Sequence, residues 1–189
     1  MIINIIAAVT RRGGLGLNNQ IPWNLKSEMS NFKKLTVGDG NNSIIMGKNT
    51  WKSLNGKPLK NRKNIVISST LNDFPDDVKV VGSLDDALGY CKQEKIYKNW
   101  IIGGARIYDD ALCNYFISNV HITRIETDIV CDTFFPHIHT NYNLYRVDKW
   151  MVENDTWFRF ENYRNKNLST QIQNAINIRH PEIKYHYRS

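Results

Sequence analysis

The chain has 189 residues, 41% hydrophobic and 23% charged, a length and composition suited to one globular domain with a substantial apolar core. No apolar run approaches the roughly 20 residues that a membrane-spanning helix needs, so a membrane protein of that kind is excluded. The net charge of +7 favours an anionic partner without choosing among nucleic acid, a membrane surface and a small anionic substrate.

In chain order, Ile2 to Val9 is a nearly continuous apolar run, the pattern of a strand buried on both faces. It is too short, and lacks the basic n-region, for a signal peptide, so a cytoplasmic location is expected. Gly13, Gly14 and Gly16 then break regular structure, and a mobile loop is predicted from Thr10 to Trp23. A helix follows Asn24. Strands are predicted at Ser43–Met46, Asn64–Ser68, Val78–Val81, Trp100–Gly103 and Asn119–Glu126, with helices between several of them. Ser83 and Asp86 resemble a capping box that opens a helix over Leu84–Glu94. Leu144–Met151 and Trp157–Arg164, around Glu153-Asn154-Asp155, form an antiparallel hairpin. Strands alternating with helices predict an α/β fold: a mixed, mostly parallel central sheet with an antiparallel C-terminal hairpin strand and helices on both faces. The domain is placed at residues 1–165. Residues 166–189 are polar and basic, with a weak helical stripe of Leu168, Ile172, Ala175 and Ile176, and read as a tail or linker remnant. Cys91, Cys113 and Cys131 are odd in number and widely spaced, which fits neither a disulfide framework nor a C-x-x-C site, so they read as reduced and structural.

Leu25, Glu28, Met29, Phe32 and Leu35 recur at helical spacings of three and four, which places Glu28 in an apolar stripe. Two readings fit. A first-turn acid interacts favourably with the helix dipole, worth about 0.3–1 kcal/mol. Alternatively, a carboxylate on a pocket wall has its pKa raised by desolvation, and a donor-rich ligand offsets that cost. Gly103-Gly104-Ala105 joins a strand to a helix, where missing side chains let a phosphate approach backbone N–H groups.

The segment from Ile21 to Glu28, with Phe32, Lys33 and Thr36, resembles the substrate-loop and first-helix signature of the dihydrofolate reductase family. Further segments match in order: Ile5 to Ala8, Ile44 to Trp51, Pro58 to Asn64, Ile102 to Tyr108, and Asp132 to Pro136. The resemblance covers residues 1–165. It implies reduction of 7,8-dihydrofolate to tetrahydrofolate, with hydride passing from the nicotinamide of NADPH to pterin C6 and a proton reaching N5.

By the same resemblance, Glu28 accepts hydrogen bonds from the pterin's N3 and 2-amino group, and Trp23 holds a water nearby. Tyr108 falls beside the nicotinamide and Thr123 behind the carboxylate. Ile6, Ala7, Phe32, Leu54, Leu59 and Ile102 form apolar walls, and Arg62 grips the α-carboxylate of the folate's glutamate tail, which suits a planar guanidinium fork. Lys48, Asn49 and Thr50 meet the cofactor's phosphates, Ser68 and Ser69 its 2′-phosphate, and Ala8, Leu15, Gly16, Gly103, Gly104, Ala105, Arg106 and Ile107 complete the cofactor half. The Gly103–Gly104 bond is expected to be cis. No metal is implied. An arginine that often occupies or adjoins the second of the two serine positions is absent here.

Alternatives stand beside this one. A nucleic-acid-binding module would use the positive charge, but no run of five like charges, RNA-binding aromatic motif or helix-turn-helix signature accompanies it. A related-fold reductase of riboflavin synthesis would not need both Glu28 and Arg62. Arg179 to Tyr185 faintly resembles the opening of thymidylate synthase in fused enzymes, so a thymidylate synthase partner or former fusion is a third possibility.

Overall fold

In the computed structural model, which describes residues 1–70 and 74–170, the apolar start becomes β1 (Ile2–Thr10), followed by β2 (Gly14–Gly16) and α1 (Lys26–Val37). Then come β3 (Asn42–Gly47), α2 (Lys48–Ser53), β4 (Lys63–Ile67), β5 (Val78–Val81), α3 (Leu84–Gln93), β6 (Lys98–Gly103), α4 (Ala105–Asn114) and β7 (Asn119–Glu126). The chain continues through β8 (Thr133–Phe134), β9 (Tyr142–Val147), β10 (Met151–Glu153) and β11 (Thr156–Asn165). Nine strands form one sheet in the order β10-β11-β7-β1-β6-β3-β4-β5, with β9 also pairing β11. The pairs from β7 through β5 are parallel, and β11 joins β7, β9 and β10 antiparallel. This is the expected fold class.

Alternation along the strands divides the core into two layers. Ile6, Ile44, Met46, Val66 and Trp100 face one side, where Trp51 of α2 and Phe32 and Leu35 of α1 cover them. Ile5, Ile45, Ile65 and Ile101 face the other, under Leu84 and Leu88 of α3 and Ala111 and Leu112 of α4. Both faces of the central strands are therefore buried, which is why their sequences read as unbroken apolar runs. Ser83 caps α3 as predicted: its Oγ accepts from the Asp86 N–H at 3.1 Å and donates to Asp86 Oδ2 at 2.7 Å. No helix among the described residues is long and apolar enough to cross a membrane.

Two expectations need correction. The Thr10–Trp23 segment is not without regular structure, because β2 pairs with β8 and the Asn18 N–H donates to the Asp132 carboxylate at 2.9 Å. These partners lie more than a hundred residues away, beyond any local pattern. The first strand of the hairpin is broken at residues 148–150 into β9 and β10, both still paired to β11. Its turn is the two-residue kind, with Asn154 and Asp155 at φ of 50° and 56°, a conformation these residues tolerate. Met29, on the helical face it shares with Glu28 and Phe32, is 51% exposed because that face meets a cleft there and not the sheet. Ile172, Ala175, Ile176 and Arg179–Tyr185 lie outside the described residues.

One buried amide fixes the loop before β4. The Asn64 side chain accepts from the Leu59 N–H at 2.9 Å and donates to the carbonyls of Leu59 and Arg62 at 3.0 and 2.9 Å. Asn64→Ala would strand these backbone groups, and we expect a loss of about 2 kcal/mol in urea denaturation; a loss under about 0.5 kcal/mol would show that the loop finds other partners.

Candidate active site

The carboxyl ends of β1, β3, β4 and β6 open into a cleft of about 970 Å³, bordered by Ala7 and Ala8, Gly47, Ile67 and Ser68, and Ile102 with Gly104. An open α/β sheet places ligands at this edge because its strand ends leave a crevice between connecting loops. α1 and α2 wall one side and α4 the other.

Glu28 is in the first turn of α1 and 8% exposed, and its side chain has no ion-pair partner among the described residues. Desolvation pushes its carboxyl from 4.5 to about 7. The apolar side chains Ile6, Ala7, Phe32, Leu54, Leu59 and Ile102 all border the same cleft. Tyr108 does too, but its hydroxyl is already engaged, donating to the Ile6 carbonyl at 2.8 Å. Burial raises its pKa, and the charge of Glu28 adds to the rise.

Three expected residues, Arg62, Trp23 and Thr123, are not on the cleft's lining. Arg62 is held beside it: one nitrogen donates to Thr36 Oγ1 at 2.8 Å, Nε donates to the Lys60 carbonyl at 3.1 Å, and the guanidinium lies 5.9 Å from the Phe32 ring centre. Burial lowers its pKa. The Trp23 indole packs against the small cluster of Leu25, Ile125 and Phe158, with Nε1 buried and lacking a protein acceptor. Thr123 is buried on β7, opposite Ala8 of β1 and Phe160 of β11.

In the other half of the cleft, α2 and α4 both begin at its edge. The Gly103–Gly104 bond is cis, as expected, and Gly103 has φ of 114°. A Cβ on Gly103 would meet the Tyr108 ring at 3.1 Å, and one on Gly47 would meet Ile107 Cγ1 at 3.2 Å. Glycine at these points lets the two helix starts close on each other, leaving the N–H groups of Ala105 and Arg106 at the cleft edge. Leu15, Gly16, Lys48, Asn49, Thr50, Ser69, Arg106 and Ile107 border the same half. Lys48 Nζ donates to Thr70 Oγ1 at 2.6 Å, while Ser68 Oγ donates to the Thr70 carbonyl at 2.8 Å, so Ser68 shapes the turn that presents Ser69 and Lys48. Cationic, hydroxyl and backbone donors around an apolar slot fit a dinucleotide bearing phosphates.

The sequence reading missed cleft residues at both ends. Asp109, Asp110, Cys113 and Asn114 continue the face of α4 that starts at Arg106, a spacing that helical periodicity alone discloses. Cys113 is thus an exposed cleft residue and not a structural one, while Cys91 is buried; all three cysteines are free. Thr133 reaches the cleft through the β2–β8 pairing, which no local signal announces.

Comparison with known proteins agrees with this geometry. A family profile described as dihydrofolate reductase matches residues 2–165. The dihydrofolate reductase of Schistosoma mansoni is 35% identical, covering 83% of this chain and 89% of that protein. That of Buchnera aphidicola is 37% identical, covering 88% of this chain and 92% of that protein. The bifunctional dihydrofolate reductase-thymidylate synthase of Paramecium tetraurelia is 34% identical over 96% of this chain, which spans only 38% of that relative's length. A profile that takes in nearly the whole described fold, and relatives 34–37% identical over most of the chain, settle the affiliation: the chain belongs to the dihydrofolate reductase family.

Proposed function

We propose that the protein reduces 7,8-dihydrofolate to 5,6,7,8-tetrahydrofolate with NADPH as the reductant. The observation that carries this reading is Glu28, a carboxylate desolvated on an apolar wall with no cation beside it. Such a group is costly to ionise in the free protein, and a ligand that brings paired N–H donors relieves the cost. The pterin's N3–H and 2-amino group form that pair, and the two carboxylate oxygens accept one bond each. Glu28 then orients the ring and, by its charge, raises the basicity of N5.

Phe32, Leu54, Leu59 and Ile102 would enclose the flat ring and its aromatic extension, while Arg62, steadied beside the cleft by Thr36 and Lys60, keeps spare donors for the glutamate carboxylate. Lys48 and Thr50, with the Ala105 and Arg106 N–H groups, would hold the cofactor's phosphates; Ser69 and Lys48 would meet the 2′-phosphate that distinguishes NADPH from NADH. When bound there, the reduced nicotinamide supplies the hydride for C6. The Trp23 N–H is a donor free to order the water from which N5 takes its proton. The segment from Thr10 to Trp23, latched by β2–β8, excludes bulk solvent from this half of the site.

The match to the bifunctional relative must run past residue 165, since it covers 96% of the chain. It supports reading residues 166–189 as a junction to a thymidylate synthase, former or present, outside the reductase domain of residues 1–165.

Purified protein should oxidise NADPH only when dihydrofolate is present, and faster than NADH. Glu28→Ala should lower kcat/KM at least about 100-fold, the scale of losing a charged two-point contact. A folded wild type with no dihydrofolate-dependent oxidation would overturn the function; an equally active Glu28→Ala would overturn the role of Glu28. The acid also predicts a pH effect on stability. Its folded pKa of about 7 lies above the unfolded 4.5, so its contribution is fully present below pH 4.5 and is lost as pH rises through 7. Relative to Glu28→Gln, the ligand-free wild type should lose about 3 kcal/mol across that window in denaturant titrations; parallel curves would contradict the burial of a titrating carboxyl. Removing residues 166–189 should leave kcat and KM within about twofold, and a severe loss would move the domain boundary beyond residue 165.

A further inference from the structure

We infer that Glu153, at the tip of the C-terminal hairpin, is a positioning residue for the pterin site: its carboxylate closes the start of α1 and so fixes where Glu28 stands on the cleft wall. The inference rests on the reading of Glu28 as the pterin-binding carboxylate.

α1 begins badly by local criteria. Its capping residue is Leu25, extended at φ −120° and ψ 106°, and no side chain of the preceding segment caps the first turn. The earliest N–H groups of a helix have no partner within it, so some other acceptor must reach them. Glu153 does so from 126 and 127 residues away in sequence: one carboxylate oxygen accepts from the Lys26 N–H at 2.6 Å and the other from the Ser27 N–H at 3.0 Å. The next residue along the helix is Glu28 itself.

The hairpin supplies two further holds on the same turn. Asn154 Nδ2 donates to the Asn24 carbonyl at 3.1 Å, and Leu25 is buried against Phe158 of β11 and Ile125 of β7. The tight Asn154-Asp155 turn sets Glu153 opposite Thr156, which aims its side chain back at α1. Hydrogen bonds from Ser27 and Lys26 hold the Glu153 carboxyl below the usual glutamate value, so it is anionic at neutral pH. A carboxylate that spans two adjacent N–H groups fixes both the height and the rotation of the turn. Displacements well under 1 Å at a binding carboxylate weaken a two-point contact. Glu153 therefore acts through Glu28 and touches neither substrate nor cofactor.

The test is a double-mutant cycle on the full chain, with wild type, Glu153→Ala, Glu28→Gln and the double variant, and with folate and NADPH as the titrated ligands. Glu153→Ala should weaken folate binding about 3–10-fold, the range of losing a helix cap, and leave NADPH binding within twofold. Glu153→Gln, which retains one accepting oxygen, should fall between wild type and Glu153→Ala. In the Glu28→Gln background, adding Glu153→Ala should change folate binding less than twofold. Unchanged folate affinity in Glu153→Ala, beside a weakened Glu28→Gln, overturns this inference alone. Equal losses for folate and NADPH, or an undiminished effect in the Glu28→Gln background, also overturn it, since either marks general loosening of the fold. A Glu28→Gln variant that binds folate as well as wild type overturns the reading of Glu28 and this inference with it.

Discussion

An acidic side chain removed from water without a cation is the constraint around which the rest of this structure is arranged. The protein contains a contrasting case. Glu161 is 3% exposed, more buried than Glu28, yet burial is outweighed there by hydrogen bonds from Arg159 and the charge of Arg124, and its pKa falls. Tyr163 donates to it as well, at 3.0 Å. That carboxylate is satisfied within the protein and has nothing left to offer a ligand. Glu28 is unsatisfied and faces a cleft, and the difference between the two comes from their neighbours, not from burial itself.

Holding such a group in place requires rigid support, and the support is distant in sequence. The first turn of α1 is packed and capped by the C-terminal hairpin, while the loop before it is latched by β8. Arg62 depends on α1 through Thr36 and on the turn pinned by Asn64. The substrate half of the cleft is thus assembled from segments whose only common reference is the sheet. The cofactor half follows a different rule, in which glycine replaces side chain at Gly47 and Gly103 so that backbone donors of two helix starts reach the cleft edge.

Much of this was legible in the sequence, and for identifiable reasons. Strands buried on both faces declare themselves as apolar runs, so β1, β3 to β7 and the α3 cap emerge within a residue or two of their observed ends. The apolar walls, Lys48, Ser69 and the paired glycines belong to short motifs in which neighbouring residues share one local geometry. Periodicity also placed Glu28 correctly on the inner face of α1, but it could not say whether that face met core or cleft. Met29 lies on that face too, but is 51% exposed at the cleft, because a helical stripe does not reveal how wide a strip the sheet covers.

The sequence by itself determined which residues alternate, where helices start and which short motifs stand at strand ends, since these depend on backbone period and local chemistry. Only the tertiary structure decided that the Ser68 hydroxyl is spent on its own turn, that Thr133 reaches the cleft, and that α1 is capped by Glu153. Those outcomes depend on contacts between segments a hundred or more residues apart or on competition for a single hydrogen bond. Neither leaves a periodic trace in the chain.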